Sequence, residues 1–134
     1  MLHKLYKEVY FESAHRLLHY EGKCNRIHGH QFRVEVWLEG EVDPTTQILV
    51  DYNILKRIIN RFDHQIILNR EDPMVPVLST FQEVITTTGD PTSELLARLI
   101  ADEINTECGQ EKRSIAVTKI RVWESTSSYA EVSY

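Results

Sequence analysis

Apolar residues at Leu5, Val9 and Phe11 alternate with Tyr6, Glu8 and Tyr10, and Phe32, Val34, Val36 and Leu38 alternate with Arg33, Glu35, Trp37 and Glu39. A period of two sends one set of side chains to a buried face and the other outward, as half-buried antiparallel strands require. The two runs are predicted to pair with each other. Gly40 to Gln47 contains Asp43, Pro44 and two threonines and reads as a turn. A short strand at Ile48 to Val50 is expected next, after which Asp51 caps a helix running to about Arg61. Further on, Thr92 follows Pro91 and precedes Leu95, Leu96, Leu99, Ile100 and Ile104. That spacing predicts an amphipathic helix with Thr92 as N-cap and Gly109 near its C-terminal stop. Ile115 to Trp123 alternates again, Ser125 to Ser128 reads as a turn, and Tyr129 to Val132 as a last strand. The order strand, strand, helix, helix, strand, strand predicts an α+β fold with both helices on one face of an antiparallel sheet.

The 134 residues, without repeats or linker-like tracts, are expected to form a single domain over 1–134. A chain of this length buries a core without metal or disulfide staples, so a metal site in it is expected to serve chemistry rather than folding. Fifteen Lys plus Arg against twenty Asp plus Glu gives a net charge of −5, which removes the basic surface that nucleic-acid binding needs. No apolar run exceeds three residues, and Met1 to Tyr10 lacks the apolar stretch of a secretion signal. A soluble cytoplasmic protein is expected. Cys24 and Cys108 lie in unrelated settings and imply no disulfide framework.

Histidines change the picture. In His28-Gly29-His30 two imidazoles stand two residues apart at the head of a strand and share a face. His15 ends the first strand and closes a three-nitrogen set if that strand pairs with the one starting at Gln31. Three protein ligands with an open fourth position are the pattern of catalytic zinc, whereas structural sites are closed by four ligands and usually include cysteine. Cys24, four residues before His28, fits two roles on this basis. It closes a structural site as a fourth ligand, or, with Lys23 and Arg26 beside it favouring the thiolate, it serves as nucleophile or base. In Asp63-His64 a carboxylate can orient an imidazole that takes a proton from a thiol, provided the backbone turns there; a surface pair at a helix end is the simpler alternative. His3 and His19 are expected to be solvated, and Cys108 to be an inert, partly buried thiol.

Five motifs together carry a resemblance: FESAHRL at Phe11 to Leu17, CNRIHGHQF at Cys24 to Phe32, DHQIILN at Asp63 to Asn69, PTSE at Pro91 to Glu94 and WEST at Trp123 to Thr126. In this order they resemble the 6-pyruvoyltetrahydropterin synthase family. The three residues between Cys24 and His28 resemble its bacterial and archaeal branch, which makes 6-carboxytetrahydropterin for queuosine and deazapurine synthesis. The resemblance implies the tunnelling fold, with four antiparallel strands and two helices per subunit, three subunits closing a barrel and two trimers stacking into a homohexamer. It implies zinc on His15, His28 and His30, a catalytic thiol at Cys24, and an assisting Asp63–His64 pair from a neighbouring subunit. It assigns Glu124 to the pterin ring and places Thr92 near the substrate, a position that helix capping explains equally well.

The substrate implied is 7,8-dihydroneopterin triphosphate. Zinc would stabilise charge on the oxygens of its three-carbon arm while the Cys24 thiolate removes a C–H proton and triphosphate leaves. Cleavage of that arm then gives acetaldehyde and 6-carboxytetrahydropterin; a pyruvoyl-forming enzyme and a non-catalytic zinc and pterin-binding module are the alternatives. Arg16, Lys23 and Arg26 are candidates to receive the triphosphate. Arg70 to Gly89 is longer than the matching connection in compact bacterial members, and Phe81 to Thr88 within it looks strand-like.

Overall fold

The two alternating runs form long strands, β1 (His3–His15) and β2 (His28–Gly40), paired antiparallel from His3 opposite Gly40 to His15 opposite His28. The computed structural model describes residues 1–109 and 113–134. A helix α1 (Tyr52–Asn60) follows, then β3 (Gln65–Asn69), a short helix α2 (Met74–Leu78), β4 (Val84–Thr87), the long helix α3 (Ser93–Cys108), and the hairpin β5 (Ala116–Ser125) and β6 (Ser128–Ser133). The sheet runs β4-β3-β1-β2-β5-β6. The helix caps lie where the sequence puts them: the Asp51 carboxylate accepts from the Asn53 N–H, the Thr92 hydroxyl from the Leu95 N–H, and Gly109 closes α3.

Three expectations need correction. The sheet has six strands rather than four and is mixed rather than antiparallel, because β3 pairs parallel with β1 and β4 parallel with β3. Strands added by crossover are covered on both faces and read as short continuous apolar runs, as in Ile66 to Leu68, so alternation does not reveal them. Of the strand-like Phe81 to Thr88, only Val84–Thr87 enters the sheet, and Phe81 is exposed. Ile48 to Val50 is not a strand. Its carbonyls are taken by other partners: Ile48 accepts from the Asp43 N–H, and the Arg113 guanidinium donates to the carbonyls of Ile48 and Leu49. Leu49 and Val50 are nonetheless buried in the core.

One face of the sheet carries Val9, Phe11, Phe32, Val34, Val36, Ile120 and Val122, packed in a single cluster with Leu55 and Ile59 of α1 and Leu96, Ile100 and Ile104 of α3. Both principal helices therefore cover that face, as expected. Cys108 joins the same cluster. Phe11 stacks on Phe32 with ring centroids 4.8 Å apart, and Phe32 in turn meets the rings of His15 and His30 at 5.6 and 5.5 Å. The aromatic core is thus the floor under the histidines. No helix among the described residues is long and apolar enough to cross a membrane.

The other face of β1, β2 and β5 is polar and aromatic, and centres on Glu35, which is only 6% exposed. Its Oε2 accepts from the Tyr6 hydroxyl and its Oε1 from the Trp123 indole N–H, each at 2.6 Å, and Arg33 lies 3.5 Å away. Burial pushes the Glu35 carboxyl up, but the Tyr6 and Trp123 hydrogen bonds and the Arg33 and Arg121 charges outweigh it, so the carboxyl ends below its ordinary value. Burial and the Glu35 bond push the Tyr6 hydroxyl up to about 12.

A depressed folded value means that ionised Glu35 stabilises the fold above the unfolded value of ~4.3, and that the contribution fades as pH falls through the folded value. Glu35→Gln leaves a donor facing a donor and should cost about 1–3 kcal/mol near neutrality, measured by urea denaturation. The gap to wild type should narrow below about pH 4, and an undiminished gap there would assign the loss to packing instead.

Candidate metal centre and active site

The β1–β2 register sets His15 opposite His28 and Ser13 opposite His30, so all three imidazoles project from the core side at one end of the strand pair. His15, 1% exposed, donates from Nδ1 to the Pro91 carbonyl at 2.8 Å, just before the N-cap of α3. His28 donates from Nδ1 to the Arg26 carbonyl at 2.7 Å. Each bond commits Nδ1 as a donor and leaves the Nε2 lone pair facing inward, the orientation that metal-binding histidines need. The two Nε2 atoms are 3.1 Å apart.

Glu124 completes the cluster. Along β5, Val122 is buried and Trp123 packs at a tilt against Tyr129 of the other face, so alternation returns Glu124 to the histidine side. Its Oε1 stands 3.3 Å from His30 Nε2 and 3.5 Å from His15 Nε2, and its carboxylate arm is 37% exposed. All four ligand atoms lie within 4.8 Å of one another. Atoms at the corners of a tetrahedron with metal bonds of ~2.0–2.1 Å stand about 3.3 Å apart, close to the 3.1, 3.3 and 3.5 Å found for His15–His28, Glu124–His30 and Glu124–His15. His30 Nε2 is buried without a hydrogen-bond partner, an arrangement that costs free energy unless something accepts its lone pair. Burial pulls the His15 imidazole below its ordinary value against the Pro91 carbonyl, with the neighbouring imidazoles adding to it. Burial likewise lowers His30, opposed by Glu124 and helped by His28. Neutral imidazole is the ligating form, so donor set, geometry and charge all suit a metal ion.

Cys24 lies on the loop between β1 and β2, half-buried in a single 3-10 turn over Lys23–Asn25. Gly22 enters that turn at φ 136°, a backbone conformation other residues rarely adopt. Lys23 and Arg26 are exposed beside it, whereas Arg16 is committed to an ion pair with Asp72 and is not free to receive a phosphate. Asp63 and His64 follow α1 as a tight corner: His64 has φ 57°, and this turn lets the Asp63 Oδ2 accept from His64 Nδ1 at 2.9 Å. The corner is tied to β1 on both sides, because the Glu12 N–H donates to Asp63 Oδ1 and the His64 N–H donates to the Glu12 carbonyl. First the Glu12 N–H and then the His64 ring hold the Asp63 carboxyl below its ordinary value. The His64 ring is 78% exposed, and among the described residues no hydrogen bond or ion pair joins it to Cys24.

The fold thus brings His15, His28, His30 and Glu124 together, sets Cys24 on the adjoining loop, and presents the Asp63–His64 pair outward. Thr92 caps α3 next to Pro91, whose carbonyl orients His15. His3 and His19 are exposed. Two features went unforeseen. Glu124 reaches the imidazoles, which its even spacing from Val122 could have signalled, and Asp72 is a buried partner of Arg16, which no local pattern marks.

Residues 4–134 match the 6-pyruvoyl tetrahydropterin synthase family. A Pyrococcus horikoshii protein provisionally named 6-carboxy-5,6,7,8-tetrahydropterin synthase is 34% identical over 98% of this sequence and 90% of its own length. The 6-carboxy-5,6,7,8-tetrahydropterin synthase of Haemophilus influenzae is 26% identical over 96% of each protein. Among solved structures, the 6-pyruvoyl tetrahydropterin synthase of Caenorhabditis elegans superposes with a TM-score of 0.67 at 24% identity, covering 100% of this protein and 96% of that one. An uncharacterized Wolinella succinogenes protein superposes at 0.72 and 22%, covering 99% and 98%. The motif order, the α+β fold with its mixed sheet and the match over nearly the whole length agree: the chain belongs to the 6-pyruvoyl tetrahydropterin synthase family.

Proposed function

We propose that this protein is a 6-carboxytetrahydropterin synthase, a zinc-dependent lyase converting 7,8-dihydroneopterin triphosphate and water to 6-carboxytetrahydropterin, acetaldehyde and triphosphate. The observation that carries the reading is the cluster of three inward-facing imidazoles with Cys24 on the adjoining loop, in a protein whose full-length relatives bear that name. Zinc suits three imidazoles with an open position, and when bound it supplies Lewis-acid stabilisation of negative charge developing on substrate oxygens.

The remaining chemistry falls to the protein's own groups. Cys24, as thiolate, removes a C–H proton from the three-carbon arm of the substrate. His64 takes the thiol proton at Nε2, because its Nδ1–H is donated to Asp63, which fixes the tautomer and the direction of the ring. Since the His64 ring is exposed and, among the described residues, bonded only to Asp63, it serves the Cys24 of a neighbouring subunit in this reading. Three subunits closing a barrel and two barrels stacking into a hexamer supply that arrangement, and closure also covers the free edges that β4 and β6 leave on one subunit. The Glu124 carboxylate accepts two parallel bonds from the amino group and ring N–H of the pterin, and its partial exposure beside the imidazoles leaves it reachable. Thr92 borders the same substrate through its place at the head of α3.

The close approach of Glu124 to His30 also favours a second use of that carboxylate, as a fourth metal ligand. Metal analysis separates the two. His28→Ala should lower bound zinc well below one ion per subunit. Glu124→Gln should keep the metal and raise KM roughly ten- to a hundredfold, the loss of about 1.5–3 kcal/mol of charge-assisted hydrogen bonding. Loss of zinc in Glu124→Gln would make it a ligand.

Incubation with 7,8-dihydroneopterin triphosphate should release acetaldehyde; release of triphosphate alone would indicate the pyruvoyl product, and no turnover a binding module. Cys24→Ala should lower kcat by roughly 10²–10⁴-fold with zinc and KM nearly unchanged, and His64→Ala should lower kcat in the same way. Wild-type turnover in Cys24→Ala would refute the mechanism.

A further inference from the structure

The loop that carries Cys24 is held from outside by one ion pair. Asp72 has a fully buried carboxylate that accepts from Arg16 Nε at 2.6 Å and Nη2 at 2.5 Å, a two-pronged bond in which both planar groups are fixed. The remaining Arg16 nitrogen, Nη1, donates to the carbonyl of Asn25 at 3.4 Å, the residue after the thiol. Asn25 Nδ2 then donates to the carbonyls of Leu17 at 3.3 Å and Leu18 at 3.0 Å, and the Leu17 N–H donates to the Cys24 carbonyl at 2.8 Å. The carbonyls of Cys24 and Asn25 are therefore both pinned, through contacts that converge on Arg16 and its neighbour Leu17. Arg16 itself directly follows the ligand-set residue His15, so one residue links the histidine side of the site to the thiol side.

The long connection after β3 gains a purpose from this. Asp72 stands at its start, where it also accepts from the Met74 N–H at 2.8 Å and so fixes the entry to α2. Asp90, just past its end, accepts from the His19 N–H at 2.8 Å and from Asn69 Nδ2 at 3.0 Å. The segment between them thus returns two carboxylates to the Cys24 loop. Burying a charged pair is rarely the most stabilising choice for a fold, since apolar side chains of similar size often do as well or better. A fork that holds one carboxylate while reaching a second backbone group supplies something apolar packing does not, a fixed direction for the neighbouring loop.

We infer that Arg16 and Asp72 are positioning residues that set the place of the Cys24 thiol. The inference rests on the proposed role of Cys24 as base. A displacement of about 1 Å at a reacting group costs as much as a hundredfold in rate, so release of the loop should be visible in kcat before it is visible in binding.

The test uses Asp72→Asn and the double variant Arg16→Gln/Asp72→Asn. The double variant leaves no unpaired buried charge, which protects it against failure to fold. Turnover of 7,8-dihydroneopterin triphosphate is measured together with the rate at which iodoacetamide alkylates Cys24, with Cys108 of the same molecule as internal reference. Both variants should lose roughly ten- to a hundredfold in kcat with KM within about twofold. Cys24 should be alkylated several-fold faster while Cys108 is unchanged, and Arg16→Lys, which keeps the charge without the fork, should not restore kcat. Wild-type kcat and wild-type Cys24 alkylation in the double variant would overturn the positioning role while leaving the Cys24 reading intact. Equal acceleration at both cysteines would overturn it too, by showing general loosening. Wild-type turnover in Cys24→Ala would instead defeat the underlying reading, even if alkylation showed the loop released.

Discussion

The pairing of β1 with β2 is the constraint on which the rest depends. It runs without a break from His3 opposite Gly40 to His15 opposite His28, and its last two inward pairs, Ser13 with His30 and His15 with His28, are the metal-side residues themselves. A slip of one residue would turn His28 and His30 to the opposite face and bring Arg33 and Glu35 into the core. The register is held against that by Phe11 on Phe32 beneath the imidazoles and by Glu35, whose two oxygens are satisfied only on the outer face. The same pattern of burial that stabilises the fold therefore fixes the donor atoms of the site.

Around this frame the surrounding segments supply direction as well as reactive groups. The head of α3 lends the Pro91 carbonyl to His15 Nδ1, and the turn before β2 lends the Arg26 carbonyl to His28 Nδ1. The corner after α1 turns through a positive φ at His64 so that Asp63 can hold its ring, and two backbone bonds tie that corner to Glu12. Connections with little regular structure thereby acquire fixed geometry, because their polar groups are spent on the adjoining ends of β1 and β2. The outward Nε2 edge of the His64 ring and the half-buried thiol of Cys24 stand apart from these bonds among the described residues, as expected of groups that meet a substrate or a neighbouring subunit.

Much of this was legible in the sequence because it rests on local periodicity. Alternation marked β1, β2, β5 and β6; Asp51, Thr92 and Gly109 marked the ends of the helices; and the spacing of His28 and His30, with His15 at the end of the partner strand, marked the imidazole set. What alternation could not carry was missed. The Ile66 to Leu68 run gives no face to read, so the parallel pair β3 and β4 was absent from the expected sheet. Ile48 to Val50 has strand-forming residues whose carbonyls are taken by Asp43 and Arg113, a contact 65 residues away in sequence for Ile48. The Arg16–Asp72 pair spans 56 residues and looks, residue by residue, like two ordinary surface charges.

In the proposed function three imidazoles hold the metal while the Cys24 thiolate stays free for chemistry. Replacement of the metal by cobalt(II) tests it most directly, because thiolate coordination adds an intense sulfur-to-metal charge-transfer band in the near ultraviolet that imidazole and carboxylate ligands lack. The expected spectrum has the visible ligand-field bands of a nitrogen and oxygen set without that band, unchanged in Cys24→Ala. A charge-transfer band in the resting protein that disappears in Cys24→Ala would make the thiol a ligand, close the site and rule out Cys24 as the free base.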